Sequence, residues 1–249
     1  MDRSKFFAAL RARGSGVFGT SLSQGQVAGT ESILDEAQKR GTRLTWLAYM
    51  LATAYLETAH TMQPIEEYGK GNGRKYGAKA GPYGKVYYGR GFVQLTWLEN
   101  YQKAAAKLGV DFVQFPERVM EPRLAAAIMF DGMEQGWFAG DKIGRHTLAR
   151  HIGGDKPDYV SARRIINGTD KAAAIAGYAR AFEAALRGAG YVSQAPKPRP
   201  APPAPIPAPK PVPVPPVSKP APEPVPAPAK PGFWELFFAR LAKMFKRGK

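Results

Sequence analysis

Residues 87–96 read YYGRGFVQLT and close a glycine-rich part of the chain. Eight glycines fall between Gly69 and Gly91, so few side chains there can support regular structure. The composition predicts an irregular loop over 69–91, with a short hairpin around 86–94.

Helical patterns flank this loop on both sides. The stretch 43–60 is mostly apolar and is too long for a typical strand, which predicts a buried helix. Thr30 is a candidate cap for a helix that runs to about Lys39 and is ended by Gly41. The chain is therefore predicted to be mainly α, with one irregular glycine-rich lobe. Further helices are predicted over 3–12, 97–108, 123–137 and 170–187, with Gly188 beyond the end of the last.

Composition excludes several classes of protein. The 249 residues contain no cysteine, which removes a disulfide framework, a thiolate metal site and a cysteine nucleophile. No stretch is long and apolar enough for a membrane-spanning helix, and the N-terminus lacks the apolar run of a secretory signal. The net charge of +16 points to an anionic partner: nucleic acid, a membrane surface or a cell-wall polymer.

Proline placement divides the chain. Of its 23 prolines, 18 fall between Pro196 and Pro231, which is typical of a polyproline-II linker. We therefore predict a globular domain over 1–192, a Pro/Ala-rich linker over 193–231 and a tail over 232–249. The globular region carries a net charge of +8. We expect the protein to be a monomer.

The tail has the pattern of an amphipathic helix, with apolar and basic residues on opposite faces. It is too short and too charged to span a bilayer, but it suits the interface of an anionic membrane or a lipopolysaccharide surface. The alternative is a helix that docks on the globular domain or on a partner. The residues predicted to bind the membrane are Trp234, Phe237, Phe238, Arg240, Lys243, Lys246 and Arg247.

Glu57 is an unusual residue for its position, because it ends an apolar run on a helix that we expect to be buried. Burial raises the pKa of a carboxyl group, and a carboxylic acid that stays neutral near pH 7 can act as a general acid. The alternative is a capped or ion-paired glutamate at an exposed helix end.

Glu66 and Glu67 follow Pro64, which should end the helix, so they are expected on a loop that folds back toward Glu57. Two carboxyl groups that face one cleft can hydrolyse a glycosidic bond; an inverting enzyme holds them about 6.5–9.5 Å apart. The alternative is a solvated acidic turn in a basic protein.

Three blocks of sequence carry a resemblance to a known family. Residues 56–60 (LETAH), 87–96 and 162–168 (ARRIING) occur in the order found in glycoside hydrolase family 19, which includes chitinases and phage endolysins. The resemblance spans about residues 20–190. It implies a lysozyme-like helical fold that cleaves β-1,4 links between N-acetylated sugars with inversion.

The resemblance also implies residue roles. Glu57 matches the general acid, Glu66 is the better match for the general base, with Glu67 as the fallback, and Thr96 matches the hydroxyl that helps to hold the attacking water. Leu56 stands where the family usually has a histidine. The implied substrate-binding positions are Glu67, Tyr88, Arg90, Gln94, Asn100, Tyr101 and Asn167.

Each of these residues also has a purely structural interpretation. Gln94 and Thr96 could satisfy backbone groups of the loop, and Asn167 begins an ordinary turn signal. Arg90 could pair with a cleft carboxylate, and Tyr88 could serve packing alone.

Metal and nucleotide sites are not predicted. His60 lacks the partners of a zinc motif, and we expect it to be a cleft-wall or hydrogen-bonded histidine. The glycine-rich run at 69–74 lacks the residues of a phosphate-binding loop, so no cofactor is expected. The loop's basic residues are either solvated or suited to an anionic glycan, and we do not expect nucleic acid as the partner. They are Lys70, Arg74, Lys75, Lys79 and Lys85.

The sequence therefore predicts an endolysin that hydrolyses the glycan strands of peptidoglycan and carries a membrane-active, antimicrobial tail. We expect it to be made in a phage host's cytoplasm without a signal peptide and to act on the wall after release. The alternatives are a chitinase of the same family and a non-catalytic protein that binds the wall or disrupts membranes.

Overall fold

The computed structural model describes residues 1–154 and 156–193. This part of the chain contains seven α-helices, two short antiparallel sheets and several 3₁₀ turns, which confirms the predicted mainly-α class. The helices are α1 (Arg3–Leu10), α2 (Gln24–Arg40), α3 (Leu44–Glu57), α4 (Leu98–Leu108), α5 (Pro122–Gln135), α6 (Leu148–Ile152) and α7 (Ala172–Gly188).

Helix α3 forms the centre of the core. Every residue from Leu47 to Glu57 is buried, as expected for a helix that is apolar on all sides. It packs against α7, which also contacts α1, while α2 packs on α5. This packing places the last residue of α3, Glu57, inside the protein.

The structure corrects the predicted start of α2. The helix begins at Gln24, because Ser23 and Gln26 form a capping box that satisfies the first backbone N–H groups. Thr30, the predicted cap, is a buried mid-helix residue whose hydroxyl donates to the carbonyl of Gln26 at 2.6 Å. The predicted end is confirmed, since Gly41 adopts the left-handed conformation that stops the helix, with φ of 65°.

Helix α3 ends three residues earlier than predicted. After Glu57 the chain turns sharply, and Ala59, His60 and Met62 have positive φ angles of 51°, 69° and 54°. No glycine or proline marks this break, so the apolar pattern alone extended the helix too far. Helix α7 runs through Gly188, which was predicted to lie just beyond it.

The glycine-rich lobe is irregular, as predicted, but its sheet pairs differently. Strand β1 (Ile65–Glu66) is antiparallel to β2 (Arg90–Gly91), with Glu66 opposite Arg90. Residues 90–91, which were predicted to pair locally within a hairpin over 86–94, thus pair with residues 65–66 instead. Arg90 also forms a local bridge with Leu95. Helix α6 and a second hairpin, β3 (Gly140–Asp141) with β4 (Gly144–Arg145), were not predicted.

The predicted linker and amphipathic tail lie outside the described residues, apart from Ser193. The seven membrane-binding residues assigned to the tail therefore stay predictions. Within residues 1–154 and 156–193, no helix has both the length and the apolar character needed to cross a membrane.

Candidate active site

Glu57 is completely buried and forms an ion pair with a buried arginine. Its Oε1 accepts a hydrogen bond of 2.5 Å from Nη1 of Arg163, and neither side chain is exposed to solvent. Arg163 lies in the 3₁₀ turn Ser161–Ile165, and its Nε donates to the carbonyl of Asp170 at 2.9 Å. The turn before α7 therefore delivers a cation to the end of α3.

Two opposing influences act on the Glu57 carboxyl group. Burial raises its pKa above the ordinary value of 4.5, and this outweighs the charge and hydrogen bond of Arg163, which lower it. Among the described residues, Oε2 has no hydrogen-bond partner. Because Oε1 is engaged by the guanidinium, Oε2 is the oxygen available to carry a proton when the carboxyl group is neutral.

Further polar atoms of the α3 core lack a partner. Tyr49, Thr53 and Glu57 are four residues apart, which places them on one face of α3. Tyr49 Oη, Thr53 Oγ1 and Arg163 Nη2 are buried and, like Glu57 Oε2, have no hydrogen-bond partner in the described part of the chain. Buried polar atoms are normally satisfied, and exceptions concentrate at functional positions.

The segment after Glu57 has a strained backbone, and contacts with helices α2 and α3 hold it in place. Its three non-glycine residues with positive φ angles have conformations that persist only when the surroundings enforce them. The ring of His60 stacks on Tyr55 with 4.1 Å between centroids, and its carbonyl accepts from Gln26 at 2.9 Å. Burial and the charge of Lys171 lower the pKa of His60. His60 thus packs next to the site.

Glu66 lies in a different environment. One third of its side chain is exposed, and its Oε1 accepts from the hydroxyl of Tyr88 at 2.6 Å and from Nε of Arg90 at 3.4 Å. Lys70 Nζ is 3.3 Å from Oε2. Partial burial raises the pKa of Glu66, but these hydrogen bonds and positive charges outweigh it and lower the pKa below 4.5. Glu66 is therefore ionised over a wide range of pH.

Arg90 organises the surroundings of Glu66. Its guanidinium lies over the ring of Tyr88, 3.5 Å from the centroid, and its Nη1 donates to the hydroxyl of Tyr101 at 2.9 Å. Tyr101 is fully buried and donates to the carbonyl of Tyr88 at 2.7 Å. Tyr88, Arg90 and Tyr101, which the resemblance assigned to the substrate cleft, are thus brought together as the support of one carboxylate.

Glu67 is fixed within the lobe. It is 3% exposed; Tyr76 donates to its Oε1 at 3.0 Å, and the N–H of Gly89 donates to its Oε2 at 3.2 Å. Its own N–H donates to the carbonyl of Gly89 at 2.7 Å. Because Glu67 is almost fully buried and bonded inside the lobe, it stabilises the lobe. The Glu66 side chain is one third exposed, so Glu66 is the carboxylate that a water molecule can reach.

The polar residues of the 87–96 block also bond to the backbone. Gln94 donates through Nε2 to the carbonyl of Ile65 at 3.0 Å, while its buried Oε1 has no partner among the described residues. That amide lies against Gly89, where an added Cβ would come within 2.7 Å of Oε1. Thr96 Oγ1 donates to the carbonyl of Gln94 at 2.8 Å, and Asn100 Nδ2 donates to the carbonyl of Thr96 at 2.9 Å.

Asn167 follows the turn that carries Arg163. Its N–H donates to the carbonyl of Arg163 at 3.1 Å, and its half-buried side chain makes no hydrogen bond within the described ranges. Arg163 belongs to the motif at 162–168, but its ion pair with Glu57 was not predicted from the sequence. Two adjacent arginines stand in that motif, and the sequence alone does not show that Arg163 is the buried one.

Trp97 was also missed. It is 49% exposed, has a φ angle of 75° and directly follows Thr96. The described residues contain no group of three or more His, Asp or Glu side chains that could hold a metal ion.

The chain is similar to several solved chitinase structures. Chitinase C from Streptomyces griseus HUT6037 is 21% identical, with a TM-score of 0.47 and 76% of each chain covered. A bacterial family 19 chitinase is 21% identical, with a TM-score of 0.47 and coverage of 76% of this chain and 95% of that one. A family 19, class IV chitinase from Zea mays is 17% identical, with a TM-score of 0.43 and coverage of 76% and 92%. No family model matches the sequence, and no curated protein matches it.

Proposed function

We propose that this protein is an inverting glycoside hydrolase that cleaves the glycan strands of bacterial peptidoglycan. The observation that supports the proposal best is the opposite perturbation of its two carboxyl groups. Burial raises the pKa of Glu57, and hydrogen-bond donors and cations lower the pKa of Glu66. A pair of titratable groups whose pKa values are pushed apart is the arrangement that acid/base chemistry requires.

Glu57 is the general acid in this proposal. Its proton resides on Oε2 and passes to the glycosidic oxygen as the bond to the leaving sugar breaks. Arg163 holds Oε1 and stabilises the carboxylate that remains after proton transfer. Because the carboxyl group is fully covered, the transfer requires the cleft to open above Oε2 when the substrate binds.

Glu66 is the general base. It accepts a proton from the water that attacks the anomeric carbon on the face opposite the leaving group, which inverts the configuration. Thr96 donates its own hydroxyl proton to the carbonyl of Gln94, so its oxygen is left to accept a hydrogen bond. A water between Thr96 Oγ1 and Glu66 then donates one proton to each, which aims its lone pair at the sugar.

The anionic wall polymer suits this chain better than neutral chitin. The globular region is basic, and the stem peptides of peptidoglycan carry carboxylates. The predicted tail fits a role at an anionic membrane or a lipopolysaccharide surface, and both features favour a phage endolysin that acts on the wall. Chitin is the alternative substrate for the same mechanism.

The test is to incubate purified sacculi with wild type and with Glu57→Gln and to follow new reducing ends and new free amines. We expect reducing ends from wild type alone. Free amines without reducing ends would indicate an amidase or peptidase and would contradict the proposal. Release from chitin oligomers but not from sacculi would identify the chitinase alternative.

A non-catalytic protein that kills through its tail remains the rival of a different class. It predicts that a peptide of residues 232–249 retains the full lytic effect and that Glu57→Gln lyses cells as well as wild type does. Our proposal predicts that Glu57→Gln loses most of its lytic effect on cells with exposed peptidoglycan.

A further inference from the structure

The glycine-rich lobe presents a surface of aromatic rings and lysines beside the proposed active site. Trp97 is half exposed and occupies the cap position of α4, where residues with side-chain oxygens are preferred. Its left-handed backbone, with φ of 75°, is an uncommon conformation for a bulky residue. A strained, exposed tryptophan next to Thr96 is better explained by a ligand than by packing.

The Trp97 ring is held in place from one side by Tyr76. The two rings meet edge to face with 5.4 Å between centroids. The Tyr76 hydroxyl is bonded to Glu67, which ties the platform to the buried part of the lobe. The turn Lys75–Gly77 that carries Tyr76 is itself fixed, because Gly77 packs directly on the carbonyl of Gly71. We name Trp97 and Tyr76 the aromatic platform.

Lysines lie on the segments of the chain next to this platform. Lys75 precedes Tyr76, and Lys79 and Lys85 flank the turn that is closed by the bridge between Ala80 and Lys85. That turn packs on α4, since a Cβ added at Gly81 would come within 3.2 Å of the side chain of Leu98, the neighbour of Trp97. The turn that carries Tyr76 and the turn that packs near Leu98 therefore both carry cations.

Three of these cations form no ion pair within the part of the chain that the structure describes. Lys75, Lys79 and Lys85 are exposed and form no ion pair with any residue that the structure describes. The stretch 68–98 contains no aspartate or glutamate, and the next carboxylate is Glu99. Three exposed lysines on the same lobe as an exposed indole are complementary to an anionic, partly apolar ligand.

We propose that the aromatic platform and Lys75, Lys79 and Lys85 form an extended subsite for the anionic wall glycan. The apolar face of a sugar ring stacks on Trp97, and the carboxylates of a stem peptide face the three lysines. This inference rests on the proposed function and adds a reason for selectivity: the platform serves any N-acetylated glycan, whereas the lysines favour the charged one.

The test measures binding of the full-length chain in the inactive Glu57→Gln background, so that turnover does not consume the ligand. Two ligands are compared: native sacculi, and sacculi whose peptide carboxylates have been converted to amides. The lysine variant is Lys75→Gln/Lys79→Gln/Lys85→Gln. Its matched control is Lys107→Gln/Lys142→Gln/Lys156→Gln, which removes the same charge elsewhere and keeps the tail unchanged.

We expect the lysine variant to bind native sacculi about tenfold more weakly than the control does, and amidated sacculi equally well. Trp97→Ala should weaken binding to both ligands, and Trp97→Phe should restore most of it. Equal binding of the lysine variant and its control to native sacculi would overturn the charge part of the proposal. Unchanged binding by Trp97→Ala would overturn the platform.

Hydrolysis of the same sacculi by the wild-type chain separates this inference from the proposed function. If wild type releases reducing ends but the lysine variant binds like its control, only the subsite fails. If the subsite variants lose binding while wild type releases no reducing ends, the subsite stands and the hydrolase proposal fails.

Discussion

The helical body and the glycine-rich lobe each present one glutamate, and they treat it in opposite ways. The body buries Glu57 completely and pairs it directly with Arg163. The lobe leaves Glu66 partly exposed and surrounds it with Tyr88, Arg90 and Lys70. The same side chain thus has a raised pKa in one region and a lowered pKa in the other.

The comparison shows what decides the outcome for a carboxyl group. Both glutamates have an arginine partner, so a nearby cation alone does not determine the direction of the shift. Burial of the whole Glu57 carboxyl, including an unpartnered Oε2, outweighs one guanidinium. At Glu66, donors on both oxygens and access to water reverse the balance.

The largest expected effect comes from Glu57→Gln. Gln keeps the volume and the acceptor for Arg163 but has no acidic proton to transfer to the glycosidic oxygen. The turnover number on sacculi should therefore fall by about 10³-fold or more. Glu183→Gln, a glutamate paired with Arg187 on α7, is the control and should keep its activity. Near-wild-type turnover of Glu57→Gln would show that Glu57 is not the general acid.

Substitutions of the two neighbouring glutamates of the lobe, Glu66 and Glu67, should have different effects on turnover and on stability. Glu66→Gln removes the base and should lower turnover by about 10²-fold, a loss much larger than any change in stability would explain. Glu67→Gln disturbs the bonds from Tyr76 and Gly89 and should instead cost about 1–3 kcal/mol of unfolding free energy. The reverse pattern in kinetics and denaturant titrations would make Glu67 the base.

Arg163→Gln tests the cation that is hydrogen-bonded to Glu57. Without the guanidinium the pKa of Glu57 should rise further, so the alkaline limb of the kcat/KM profile should move to higher pH. The acidic limb, which reflects Glu66, should stay in place. An alkaline limb that is unchanged or moves to lower pH would show that Arg163 does not control the acid.

Tyr88→Phe makes the matching change in the lobe. It removes the 2.6 Å hydrogen bond that lowers the pKa of Glu66, so the acidic limb should move to higher pH, with only a small loss at the optimum. Tyr83→Phe, at an exposed position of the same lobe, is the control. If the alkaline limb shifts instead, the assignment of the acidic limb to Glu66 is contradicted.

Stability should depend on pH in opposite directions for the two groups. The raised pKa of Glu57 stabilises the fold below pH 4.5, and this contribution is lost as pH rises through the folded-state pKa. The lowered pKa of Glu66 stabilises the fold above pH 4.5, and this contribution is lost as pH falls through its folded-state pKa. Chemical denaturation across pH should show the first loss in wild type and not in Glu57→Gln.

Local sequence predicted the mainly-α class and most helices, because those depend on apolar periodicity and on glycines such as Gly41. It did not predict the end of α3, where strained residues rather than a glycine or proline break the helix. It also placed Thr30 as a cap, because the capping box of Ser23 and Gln26 was overlooked.

The site was predictable in its parts but not in its connections. The residues around Glu66 were named from the motif, yet their arrangement depends on the pairing of β1 with a strand more than twenty residues away. The partner of Glu57 lies 106 residues further along the chain. Such contacts follow from tertiary packing, and no local pattern specifies them.

The most direct test of the account is a ¹³C NMR titration of the side-chain carboxyl groups, with Glu57→Gln and Glu66→Gln used to assign the two signals. We predict that Glu57 titrates above pH 4.5 and that Glu66 titrates below it in the folded protein. If Glu57 titrates below Glu66, the roles of acid and base proposed for the two carboxyl groups are contradicted.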